Sequence, residues 1–288
     1  MISERFGGTQ RLYGVPETDW LAQQHVVVVG LGGVGSWAAE ALARTAVGKL
    51  TLIDLDDVCV SNTNRQLHAT VPAVGQMKVE VMAERIRAIN PACEVVPVLD
   101  FMTPDNLERY LTPKPDAVLD AIDSVKVKAA LLAYCKRQRI PVVTTGGAGG
   151  QLDPLKITVA DLSKTVQDPL AARTRSLLRR DYGFSRNPKR KFGIECVYST
   201  EQLRYPQLDG SVCLQRAEGD ASTRLDCASG FGASVMVTGS FGFIAASRTI
   251  AQLLTRQPAS LPQVYCNKLN ALTSEPSGGQ MQGASVQE

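Results

Sequence analysis

Between Gly30 and Gly35 the chain reads Gly-Leu-Gly-Gly-Val-Gly, directly after the apolar run Val26 to Val29. A strand that enters a glycine turn and leaves as a helix brings bare backbone N–H groups to one point. Those groups, with the helix dipole behind them, attract phosphate. By itself the turn suits a dinucleotide as well as a nucleoside triphosphate. Asp54 then closes the next apolar run, at a separation where an acid on a second strand tip accepts hydrogen bonds from a ribose. Arg65 and Lys78 follow, and Asp123 stands in Asp120-Ala121-Ile122-Asp123. Two cations at such positions make sense where a triphosphate is neutralised while pyrophosphate leaves, because charge develops on the departing oxygens. Hydride transfer has no comparable need. The hard carboxylate oxygen of Asp123, just past a strand, suits Mg2+. The set points to Mg-ATP rather than to a nicotinamide cofactor.

These residues need a scaffold that brings strand ends together. Val26 to Val29 reads as a buried strand and Val34 to Arg44 as an alanine-rich helix. Lys49 to Asp54 is the next strand. Lys78 to Ile89 is an amphipathic helix stopped by Asn90-Pro91. Glu94 to Leu99, Ala117 to Asp120 and Pro141 to Thr145 are further strands, separated by helices over Pro104 to Tyr110 and Lys126 to Arg139. Strands spaced by helices predict an α/β fold with a Rossmann-like, mostly parallel sheet and the ligand at its carboxyl edge. Beyond Gly146 to Gly150 the pattern changes. Lys156 to Asp161 extends the sheet, Asp168 to Asp181 is a basic helix, Gly193 to Tyr205 is irregular β structure, and Ala228 to about Leu254 is a helix. The polar tail from Thr273 is expected to be flexible. This divides the chain into an ATP-binding core (1–160), a smaller α+β extension packed on it (161–256) and a tail (257–288).

At 288 residues the chain can bury a full core, and 44% hydrophobic with 20% charged residues is the composition of a globular protein rather than a disordered one. A net charge of +3 is too mild to direct the whole molecule to nucleic acid, so such binding must come from local clustering. One cluster qualifies. Arg173, Arg175, Arg179, Arg180, Arg186, Lys189, Arg190 and Lys191 face only Asp181 as a counter-charge within their segment, an electrostatic footprint for phosphates and therefore for RNA. Tyr182 and Phe184 beside them have the shape to stack bases or to join the core. Seven cysteines, an odd number with no CxxC spacing, argue against a disulfide framework and a structural zinc, and for a reducing cytosol. Met1 to Arg5 has no basic-then-apolar pattern, so a cytoplasmic protein is expected. Ala228 to Ser247 has the length of a membrane span, which leaves membrane association as the alternative, but its glycines, serines and threonines favour a buried helix.

In order along the chain, Gly30 to Ser36, Leu52-Ile53-Asp54-Leu55-Asp56, Ser61-Asn62-Thr63-Asn64-Arg65-Gln66, Gly75-Gln76-Met77-Lys78-Val79 and Asp120 to Asp123 resemble the ThiF/MoeB family of ubiquitin-activating-like adenylating enzymes. The resemblance implies binding of Mg-ATP, adenylation of a carboxylate and release of pyrophosphate. It implies that Gly30, Gly32, Gly33, Asp54, Asp56, Asn62, Asn64, Arg65, Lys78 and Asp123 hold the nucleotide, with Arg65, Lys78 and Asp123 catalytic and Asp123 serving the metal. It also implies a homodimer, since the family completes its sites across a two-fold interface.

The second half narrows this. Thr144 to Pro154, Gln167 to Ala172 and Leu225 to Gly232 look like the tRNA threonylcarbamoyladenosine dehydratases of that family, which implies ATP-dependent cyclisation of the modification on adenosine 37. An acyl-adenylate lets a neighbouring atom of the same side chain expel AMP, and intramolecular attack needs no protein nucleophile. Activation of a ubiquitin-like sulfur carrier is the alternative, with a cysteine-desulfurase or sulfur-acceptor system as partner, although the family's two zinc CxxC pairs are missing. The family's cross-dimer arginine is replaced by glycine in Arg5 to Arg11, leaving Arg11 as a substitute. Cys227 is the thiol that could attack an adenylate. Gly146 to Gly150, with carbonyls near Cys227, could hold Na+ or K+.

Overall fold

The computed structural model describes residues 2–207, 209–215 and 231–258. Its elements run α1 (Ile2–Arg5), α2 (Gly7–Tyr13), α3 (Val15–Leu21), β1 (His25–Val29), α4 (Gly35–Ala43), β2 (Lys49–Ile53), α5 (Lys78–Ile89), β3 (Glu94–Val98), α6 (Leu107–Tyr110), β4 (Ala117–Asp120), α7 (Val125–Gln138), β5 (Val142–Thr145), β6 (Ile157–Asp161), α8 (Pro169–Asp181), β7 (Glu195–Ser199), β8 (Tyr205–Pro206), β9 (Val212–Cys213) and α9 (Val235–Leu254).

Alternation along the central strands sets the layers. In β1, Val26 and Val28 join one core while Val27 and Val29 join the other. A strand buried on both faces reads as a continuous apolar run and needs helices above and below. One core gathers α4, α5 and α9; the other gathers α6, α7 and α8. Between them lies a seven-stranded sheet in the order β3-β2-β1-β4-β5-β7-β6, parallel except for β6, which runs antiparallel to β7 at the edge. The expected α/β architecture is what forms.

Several sequence expectations need correction. The stretch from Gly193 is not irregular: Glu195–Ser199 is an interior strand whose residues from Cys196 on are buried, paired to β5 on one side and β6 on the other. The helix near Pro104 begins only at Leu107, because the Asn106 side chain accepts from the Thr103 N–H at 2.7 Å and closes a turn first. The last helix starts at Val235, since 231–234 is not helical; 228–230 lie outside the described residues. Helices α1, α2 and α3 were not anticipated. Their anchor is tertiary: Trp20 Nε1 donates to the Leu253 carbonyl at 3.0 Å and so ties α3 to α9.

No helix among the described residues is long and apolar enough to cross a membrane. α9 instead packs on α4, where a Cβ at Gly242 would meet the Val34 carbonyl oxygen at 2.6 Å, and Arg248 on its outer turn holds Glu195 of β7 at 2.6 Å. The membrane alternative therefore gives way to the buried-helix reading. Its small residues serve close helix packing.

Candidate active site

Strand order reverses between β1 and β4, and the loops leaving these two strands diverge to open a cleft at the carboxyl edge of the sheet. Gly30 adopts φ +86° with its would-be Cβ 3.0 Å from the Ala121 carbonyl oxygen. A Cβ at Gly35 would lie 1.8 Å from the Gly30 carbonyl oxygen, so the turn can fold against the start of α4 only with glycine there. Gly32 is the opposite case. Nothing lies within 4 Å of where its Cβ would point, which leaves room for a phosphate against the backbone. The cleft holds about 850 Å³, a volume suited to a nucleotide together with a second group.

Gly30, Gly32, Gly33, Asp54, Asp56, Asn64, Arg65, Lys78 and Asp123 line this one cleft. Asp54, at the tip of β2, accepts from the Leu31 N–H at 2.6 Å and from the Asp56 N–H at 2.9 Å. Burial raises its pKa, opposed by those N–H groups and by the Lys78 cation. Lys78 is the first residue of α5; it is buried, and its Nζ meets Asp56 Oδ2 at 2.7 Å. Arg65 donates to the Ser61 carbonyl at 2.8 Å and to Asn64 Oδ1 at 2.9 Å, while its own carbonyl accepts from Trp37 Nε1 at 3.0 Å. Asn64 Nδ2 reaches the Ala233 carbonyl at 3.0 Å, joining this loop to the approach to α9. Asp123 is exposed on the loop between β4 and α7. No cluster of three or more His, Cys, Asp or Glu side chains capable of holding an ion occurs among the described residues. A single carboxylate beside a phosphate cradle nonetheless fits Mg2+, which draws most of its ligands from phosphates and water.

Other expected site residues fall elsewhere. Asn62 is buried and outside the lining; its Oδ1 accepts from the Cys59 N–H at 3.0 Å and shapes the loop from within. Arg11 is exposed on α2 and does not line this cleft. Cys227, and with it the carbonyls considered for a monovalent cation, lies outside the described residues.

Of the basic cluster, Arg173, Arg180, Arg186, Lys189, Arg190 and Lys191 are exposed. Two members are committed inward. Arg179 sits 5.4 Å from the centroid of the buried Phe192 ring, and Arg175 donates to Thr165 Oγ1. Tyr182 and Phe184 pack on the core that α7 and α8 share, Phe184 edge-on to Phe192 at 4.9 Å, so they belong to the interior rather than to a stacking surface.

Sequence reasoning overlooked three features. Asp120 and Lys128 form an ion pair at 2.8 Å, fully buried, with Thr144 Oγ1 donating to the same carboxylate oxygen at 2.6 Å. The signal was there, because Lys128 falls on the apolar face of α7 with Leu131, Leu132 and Cys135. Asp168 caps α8 through the Ala171 N–H at 2.8 Å and also accepts from the Gly147 N–H at 2.9 Å, fastening the glycine loop to that helix; burial raises its pKa. The third is a second cleft wall, formed by 145–149, Pro169, Leu170, Leu203 and 231–233.

Comparison with known proteins places this geometry. The tRNA threonylcarbamoyladenosine dehydratase of Escherichia coli K12 is 58% identical over 88% of this chain and 94% of its own length. The enzyme of that name from Haemophilus influenzae is 54% identical over 88% and 95%. The crystal structure of the E. coli dehydratase in complex with ATP aligns at a TM-score of 0.79 with 54% identity, covering 89% of this chain and 97% of that one. A model of the ThiF family matches residues 8–277, and the chain belongs to the ThiF family.

Proposed function

We propose that this chain is an ATP-dependent tRNA threonylcarbamoyladenosine dehydratase. The observation that carries the reading is the single cleft at the strand-order reversal, which unites the glycine turn, Asp54, Arg65, Lys78 and Asp123 in a chain so similar to enzymes of that name. A carboxylate oxygen of the threonyl group attacks the α-phosphorus of ATP, and pyrophosphate leaves with the bonding pair. A nitrogen or oxygen of the same modification then attacks the acyl carbon; AMP departs and the attacking atom loses its proton. The net change on the tRNA is loss of water.

In this reading Asp54 accepts the ribose hydroxyls and the open backbone at Gly32 receives phosphate. Arg65 and Lys78 neutralise the triphosphate, Asn64 fixes Arg65, and Asp56 orients Lys78. Asp123 holds Mg2+, which supplies further charge neutralisation when bound. Residues 1–160 carry the nucleotide, while 161–256 add the exposed cations that track tRNA phosphates. A homodimer, a cytoplasmic location where ATP and tRNA meet, and a monovalent cation near the glycine loop complete the proposal.

The test gives the purified chain ATP with threonylcarbamoyladenosine-bearing tRNA, with a ubiquitin-like sulfur carrier, or with neither. Pyrophosphate and AMP should appear only with the modified tRNA, and the digested nucleoside should have lost the mass of one water. Pyrophosphate release with the sulfur carrier alone would overturn the reading. Light scattering at micromolar concentration tests the dimer, and a fully active monomer would end that part.

A further inference from the structure

The nucleotide accounts for one side of the cleft. Asp54, the Gly30 turn and Asp123 follow β2, β1 and β4, so ATP laid along them runs between those three strand tips. The remaining wall follows β5 and the start of α8, closed by Leu203 and 231–233; among the described residues no charged side chain contributes to it and its one aromatic ring is Phe231.

That ring is fixed from several directions. A Cβ at Gly149 would meet Phe231 Cβ at 3.0 Å, and one at Gly150, where φ is +73°, would meet the ring Cδ1 at 2.8 Å, so the glycine loop lies directly against the aromatic. The Gly150 N–H donates to the Gly232 carbonyl at 2.7 Å and the Arg204 N–H to the Gly150 carbonyl at 2.9 Å. Tyr205 stands behind, its ring 5.2 Å from that of Phe231 with the planes tilted by 53°. An aromatic ring so held, beside bare backbone, offers a flat apolar face to a planar group. RNA loop bases are read in this way, splayed out and stacked on aromatic side chains.

α8 leads to the same place. Pro169 and Leu170 at its start belong to this wall, and at about 1.5 Å per residue Arg180 lies roughly 15 Å further out. An RNA strand whose phosphates follow the exposed cations can therefore swing one base inward. ATP has its own aromatic neighbour at the other end: Phe101 lines the cleft in the loop after β3, and the Val98 carbonyl that ends β3 accepts from the Asp54 N–H at 3.3 Å.

We propose that Phe231, buttressed by Tyr205 and the Gly149–Gly150 backbone, is the platform on which the purine of tRNA nucleotide 37 stacks. Its threonylcarbamoyl arm then runs along the glycine loop toward the α-phosphate. The inference rests on the dehydratase reading and adds the residue that holds the substrate base.

The experiment uses the full chain and an anticodon stem–loop carrying the modification, with variants Phe231→Leu, Phe231→Tyr and Phe231→Trp. Phe231→Leu should raise KM and Kd for the stem–loop at least tenfold while the Kd for ATP stays within twofold. Phe231→Tyr should restore both RNA constants, which a role in packing volume alone does not require. In Phe231→Trp, added fluorescence should be quenched by the intact stem–loop and not by one abasic at position 37. Equal stem–loop affinity in the Leu and Tyr variants overturns the platform, as does a parallel loss of ATP affinity, which would assign the ring to the nucleotide. Should Phe231→Leu fail to fold, the Trp quenching decides. If wild type does not dehydrate modified tRNA, the dehydratase reading itself falls; if it does and Phe231→Leu retains its KM, only the platform does.

Discussion

Asp54 is a scaffold carboxylate that the proposed function also makes a nucleotide ligand. It already spends one oxygen on the Leu31 N–H and the other on the Asp56 N–H, and burial raises its pKa. Asp54→Ala should weaken ATP binding by about 1.5–3 kcal/mol, the value of a hydrogen bond to a charged acceptor, measured by calorimetry. Tighter binding of NAD than of ATP would count against the nucleotide assignment. His68 supplies a pH dependence. Burial, with the Lys78 cation nearby, lowers its pKa from 6.5 to about 4, and neither ring nitrogen has a hydrogen-bond partner among the described residues. Between pH 6.5 and 4 the unfolded chain therefore binds a proton that the folded chain refuses, and stability falls as pH falls. The loss attributable to this ring is about 3 kcal/mol at ~1.4 kcal/mol per unit. His68→Leu should flatten that part of the profile of melting temperature against pH relative to wild type; an unchanged slope would remove His68 as its source.

Elements explain what could be read in advance and what could not. Asp54, Lys78 and Asp123 were legible because each sits at the end of a periodic segment, where strand tips and helix starts must converge. The inward position of Lys128 could be read from its helix, which was placed to within a residue, but its role could not, because its partners Asp120 and Thr144 come from two neighbouring strands. Lys128→Met leaves the Asp120 carboxylate buried and unpaired and should cost about 3–5 kcal/mol in urea unfolding. Strand β7 was mistaken for irregular structure since its register is set by β5 and β6, not by its own short pattern. In the basic segment, composition could not separate Arg175 and Arg179, which are committed to Thr165 and Phe192, from the exposed cations. Changing Arg173, Arg186, Lys189, Arg190 and Lys191 to Glu should accordingly weaken tRNA binding without unfolding the chain. Each lost phosphate contact should reduce the salt slope in filter binding by about 0.7–0.9. ATP affinity should survive, because the proposed nucleotide contacts come from residues 30–123; unchanged tRNA affinity would return the segment to a merely solvated surface.

For the molecule as a whole, the decisive feature is the position of β7, threaded between β5 and the edge strand β6. The glycine loop depends on it directly, since the Gly146 N–H donates to the Val197 carbonyl at 2.8 Å. A fragment ending at residue 160 keeps the Gly30 turn, Asp54, Lys78 and Asp123, yet leaves the free edge of β5 unpaired. It should aggregate, because such an edge is a template for further pairing, and sedimentation against the full chain checks this. On the ribosome the same threading imposes a schedule. Every residue proposed to touch ATP is made before residue 124, but the sheet beneath them stays open until residue 199 has left the exit tunnel. The nascent enzyme therefore carries a complete list of nucleotide ligands for a long interval without a finished pocket to arrange them. A chaperone that shields the β5 edge during that interval should raise the yield of folded protein.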